Sequence, residues 1–70
     1  MNKAGIKSVI ARNNENQSIL AQALGLKQPC LSNRINGLVE FRLSEVDKIR
    51  RRYHLSPEET VDLFFDEVVS

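Results

Sequence analysis

Apolar residues in this chain recur three and four positions apart in short blocks, and strong breakers divide the blocks: Asn13-Asn14, Gly25, Asn36-Gly37 and Ser56-Pro57. A helix puts i, i+3 and i+4 on one face, whereas a half-buried strand needs strict alternation, and no run here alternates convincingly. The pattern therefore predicts a set of short helices that bury one stripe each against the others. Seventy residues confine that set to one small domain, expected to span 1–70. The expected fold class is all-α with five short helices.

The first helix is predicted over 3–13, with Ile6, Val9 and Ile10 inward and Asn13-Asn14 at its end, because Asn tolerates the left-handed conformation. The second covers 17–24, capped by Asn16 and stopped by Gly25, with Leu20, Ala21 and Leu24 inward. The third covers 28–36. Pro29 falls in its first turn, where a missing N–H costs nothing, and Leu31 and Ile35 share one face. The fourth is expected over 44–53, with Ser44 and Asp47 as a capping arrangement and Val46, Ile49 and Tyr53 as its buried stripe. In the fifth, 57–68, Ser56 caps, Pro57 takes the first position and Glu58 and Glu59 lie at the positive helix end. Val61, Phe64 and Val68 are expected to face the core.

Charge is divided unevenly. Residues 1–54 hold ten Lys/Arg and four acids, and residues 55–70 hold five acids and no base, although the net charge is only +1. Such a division suits a body that meets an anionic polymer on one face, or it is ordinary helix-surface charge. The N-terminal stretch has no long apolar run, so no secretory leader is expected, and nothing approaches the roughly 18 apolar residues of a membrane span. A lone Cys30 forms no internal disulfide, which makes a reducing cytoplasm the expected location, with Cys30 itself small and partly buried.

With Leu31 and Ile35 as anchors, the third helix leaves Gln28, Ser32 and Asn33 outward near its start, with Lys27 just before it. These are either solvated helix residues or a reading face: Gln and Asn can take an adenine edge bidentately in the major groove, Ser reads edges less selectively, and Lys favours phosphate or guanine. Gln28 and Asn33 are the candidates for base contact, and Lys27, Arg34 and Arg42 for phosphate.

The short link Gly25-Leu26-Lys27 forces a sharp turn between the second and third helices, which fits a helix-turn-helix. The stretch NQSILAQALGLKQPCLSNRING resembles the Cro and phage-repressor type of that motif. Gln17, Leu20, Ala21 and Gly25 fill its pattern, and Leu31-Ser32 and Asn36-Gly37 its ending. LSEVDKIRRRYHLSPEETVDLFF is similar to the family's last two helices. The resemblance implies a lambda-repressor-like fold, with Gln28, Pro29, Ser32 and Asn33 toward the bases and Gln17 and Asn36 toward the phosphate backbone. This chain departs from many relatives in having Lys27 where a capping Ser or Thr stands, and Ile10 and Ile35 where a buried Arg–Glu pair links the first and third helices.

The run Arg50-Arg51-Arg52 spreads over roughly 200° of the fourth helix and reads as a solvated face or a surface for a dimer or partner. His54 lacks nearby companion ligands, so no metal or other cofactor is expected. No nucleophile–base pair or phosphate-cradling loop occurs, and a non-enzyme without a small-molecule substrate is expected. Ile19, Ala23, Leu63, Phe65 and Val69 exceed what one small core requires and are the candidate interface, the C-terminal helix above all. Two functions follow as expectations. One is a Cro-type transcriptional regulator that binds a double-stranded DNA operator as a homodimer. The other is a protein-binding modulator or antirepressor that acts by complexing a partner repressor.

Overall fold

The computed structural model describes residues 1–65, which form five helices and no strand. They are α1 (Lys3–Arg12), α2 (Gln17–Leu24), α3 (Gln28–Ile35), α4 (Leu43–Arg52) and α5 (Pro57–Phe64). No helix among the described residues is long and apolar enough to cross a membrane.

Local chemistry sets the boundaries. Asn2, Asn16 and Ser56 each accept a backbone N–H of the following turn through the side chain, from Gly5, Ile19 and Glu59. That satisfies donors which a helix start otherwise leaves without partners. Ser56 and Glu59 reciprocate, since the Glu59 carboxylate accepts the Ser56 N–H at 3.2 Å. Asn14 at φ 57° ends α1 in the left-handed region, as expected of Asn, and Gly25 at φ 72° does the same for α2. Gly5 serves another purpose: a Cβ there would lie 2.7 Å from Leu63 Cδ2, so its absence lets α1 and α5 approach. The Asn2 N–H bonds the Leu63 carbonyl at 2.8 Å in the same corner.

The core draws on every helix. Leu20 and Leu31 are wholly enclosed, and Ile6, Val9, Ile10, Ala21, Leu24, Ile35, Ile49, Tyr53, Leu55 and Leu63 complete the cluster. Val46 is buried at 6% exposure. Phe41 and Phe64 seal one edge, with ring centroids 5.3 Å apart and planes at 84°, the edge-to-face arrangement aromatic quadrupoles favour.

Two expectations at the C-terminal end are corrected. Val61 is 52% exposed, and α5 turns Thr60, Leu63 and half of Phe64 inward instead. Once Pro57 fixes the first turn, 60, 63 and 64 form the i, i+3, i+4 set that meets α1 and α4. Leu63, proposed above as interface, is thus core at 7% exposure. Val68 and Val69 lie outside the described residues. At α4 the helix begins at Leu43, one residue before the expected start, with Arg42 in the cap position. Glu45, not Asp47, reaches back to the cap, accepting the Arg42 N–H at 2.9 Å.

Candidate nucleic-acid interface

α2 and α3 pack together across the three-residue turn Gly25-Leu26-Lys27, and the Leu26 N–H closes that turn on the Ala21 carbonyl at 2.8 Å. Leu31 and Ile35 are 0% and 1% exposed, which fixes the roll of α3 about its axis. With that roll fixed, Gln28, Pro29, Asn33 and Asn36 are exposed and Ser32 is half-buried. Asn36 Nδ2 donates to Ser32 Oγ at 3.3 Å, linking two residues assigned to phosphate and base contact. Cys30, expected to be partly buried, is exposed on the same helix.

The start of α3 is open. Lys27 occupies the cap position in extended backbone and gives no side-chain cap, as its lack of an acceptor dictates. Its carbonyl takes the N–H groups of Cys30 and Leu31 at 3.0 and 3.1 Å, and Pro29 has no N–H to place. The backbone N–H groups of Lys27 and Gln28 have no hydrogen-bond acceptor among the described residues, so two donors stand at the positive end of a helix dipole. Gln17, at the first position of α2, is half-buried, and Arg42 is exposed.

Arg34 departs from its expected role. Its Nε donates to Glu45 Oε1 at 2.8 Å and its Nη1 to the Cys30 carbonyl at 3.2 Å. The two side chains are only 12% and 9% exposed. Arg34 is therefore committed to clamping α3 on α4 and is withdrawn from the phosphate contacts assigned to it. A buried Arg–Glu pair exists in this chain, between α3 and α4, while Ile10 and Ile35 lie in the apolar core.

The arginine run on α4 is also engaged. Asp47 accepts from Arg50 at 2.8 Å and from Arg51 at 3.0 Å. Arg52 crosses to the α1–α2 connection, where Glu15 accepts its Nε at 2.9 Å, its Nη2 at 2.6 Å and the Tyr53 hydroxyl at 2.8 Å. This cluster ties the end of α4 to the start of the helix pair. Hydrogen bonds from Arg52, then Tyr53, hold the Glu15 carboxyl below its ordinary 4.5, while burial followed by the Glu15 carboxylate pushes the Tyr53 phenol well up. Arg50, followed by the charge of Arg51, holds Asp47 below 3.8.

Because the folded value for Glu15 lies below the unfolded one, its contribution is complete above the ordinary carboxylate value and is lost as pH falls through the depressed one. Replacing Glu15 by Gln is accordingly expected to flatten the acid-side fall in stability below pH 4.5. Urea midpoints measured across that range check it, with Asp47 leaving a residual slope. Equal slopes in both proteins would remove Glu15 from the linkage.

Of the proposed interface residues, Ile19 is 40% and Phe65 49% exposed, and Ala23 is exposed. The sequence reading passed over Leu38, Val39 and Leu43, at 76%, 45% and 76% exposure. The signal lay in their position, Leu38 and Val39 in the connection between α3 and α4 and Leu43 at the first position of α4, all off either buried stripe. No cluster of three or more His, Cys, Asp or Glu able to hold a metal occurs among the described residues. Compared with protein-family models, with characterised proteins and with solved structures, the chain matches none.

Proposed function

We propose that this chain is a sequence-specific DNA-binding transcriptional regulator of phage or prophage Cro type, which sets α3 in the major groove of an operator. The observation that carries the reading is the outward set Gln28, Pro29, Ser32 and Asn33 on a short helix whose roll is fixed by two enclosed aliphatic anchors. An eight-residue helix fits a groove about 12 Å wide. Asn33 and Gln28 supply amides for adenine edges. Lys27, Arg42, Gln17, Asn36 and the unpartnered N–H groups at the start of α3 supply phosphate contacts.

A second reading, a modulator that complexes a partner repressor, is supported by the exposed Ile19 and Ala23 on α2. Titration of the pure protein against a duplex from upstream of its own coding region, repeated at several salt concentrations, separates the two. The first reading expects binding by the protein alone, with log affinity falling in proportion to log salt as several phosphates are neutralised. Silence alone, with a complex formed only when a partner repressor is added, favours the second. Within the first reading, Asn33→Ala is expected to cost about 1–3 kcal/mol of specific affinity and to leave non-specific binding nearly unchanged. Unaltered operator discrimination would remove Asn33 from base contact.

A further inference from the structure

α2 and α4 pack against each other and leave a groove of about 560 Å³, lined by Ala23, Leu24, Lys48, Arg51 and Arg52. Its two walls differ in chemistry. On α2, exposed Ala23 is joined one turn back along the same helix face by Ile19, which the core leaves 40% exposed. The α2 sequence, QSILAQAL, carries no charge. On α4, Lys48, Arg51 and Arg52 stand at i, i+3 and i+4 and so share one face. Their charge is not balanced. Glu15 holds Arg52, but Asp47 alone answers both Arg50 and Arg51. The Arg51 side chain is 74% exposed, and the Lys48 side chain has no ion-pair or hydrogen-bond partner among the described residues.

An apolar strip beside a basic one selects its occupant. A phosphate backbone would satisfy the cations and leave Ile19 and Ala23 without apolar cover. A wholly apolar surface would bury Lys48 and Arg51 without compensation. A helix with an apolar stripe and an acidic flank meets both walls, in the helix-in-groove mode of recognition. We propose that the α2–α4 groove receives an acidic amphipathic helix of a different protein, its apolar side on Ile19 and Ala23 and its carboxylates toward Lys48 and Arg51. Ala23, small and exposed, leaves room for a large side chain of that helix. The proposal gives the partner of the second reading above a chemistry, and it rests on that reading only for its biological use.

Backbone NMR shifts of the full chain, titrated with a synthetic helical peptide, test the proposal. The peptide carries leucine along one helical face and glutamate on the others. Ile19, Ala23, Lys48 and Arg51 are expected to move, while Gln28, Ser32 and Asn33 stay in place. Ala23→Glu fills the groove with a charge that repels the peptide, and is expected to weaken binding at least about tenfold. Lys48→Glu is expected to weaken it and to flatten its salt dependence. Both positions are exposed, so helical circular dichroism should be unchanged in each variant. A peptide of the same composition with its leucines scattered around the helix should bind at least about tenfold more weakly. A groove that stays silent overturns the proposal, as does a scattered peptide that binds equally well. Unrelated duplex DNA that binds the groove more tightly than the peptide assigns it to nucleic acid, and shifts there that depend on protein concentration alone assign it to a second copy; either overturns the proposal. A partner repressor that complexes the chain without moving these residues overturns this surface and leaves the second reading standing.

Discussion

Glu45→Ala is expected to cost about 3–5 kcal/mol, because it strands the Arg34 guanidinium in a site built for two charges. A domain of this size has total stability on the order of 5 kcal/mol, so much of the population should unfold, as urea denaturation would report. The Glu45 carboxylate serves two donors at once, Arg34 Nε at 2.8 Å and the Arg42 N–H at 2.9 Å. Its loss therefore loosens the start of α4 as well as the grip of α4 on α3. The paired replacement Arg34→Met with Glu45→Leu should recover most of the loss, since an apolar pair of similar volume often equals or exceeds a buried ion pair. A residual deficit of about 1 kcal/mol is expected from the missing cap on Arg42. If the two single variants and the pair simply add, the ion pair couples nothing.

Leu31→Ala is the second large effect, expected to cost about 2–5 kcal/mol through lost burial and the cavity left behind. Leu31 is 0% exposed and, with Ile35, fixes which side of α3 looks out. A partly folded variant should therefore lose operator discrimination before it loses non-specific attraction to DNA, because phosphate attraction tolerates a loosened helix and base contact does not. Thermal unfolding gives the first quantity and competition with unrelated duplex the second. A stable variant with intact discrimination would mean that the Leu31 side chain does not set the pose of α3.

The helices were legible because short blocks with caps and breakers state themselves locally. Asn16, Gly25, Ser56-Pro57 and the Leu31/Ile35 pair each act within one turn of the chain. The α5 face was misread because Val61 and Leu63 are equally apolar, and only the packing of α5 against α1, across Gly5, and against α4 decides which of them is buried. Arg34 illustrates the same limit at the candidate site. Its partner lies 11 residues away on another helix, so nothing in its own helix distinguishes a phosphate contact from a clamp. The Glu15–Arg52–Tyr53 cluster spans 37 and 38 residues and was likewise invisible. By contrast, the outward direction of Gln28 and Asn33 followed from local periodicity alone, and the structure agrees.

The central claim is that the outward side of α3 meets duplex DNA, and backbone and side-chain amide NMR shifts during titration with an operator duplex test it most directly. The account predicts that the largest changes fall on residues 27–36, the side-chain amides of Gln28 and Asn33 among them, with Gln17 following and Glu58, Val61 and Asp62 on α5 unmoved. Saturating duplex that leaves the Gln28 and Asn33 amides in place, or shifts confined to another helix, would contradict it.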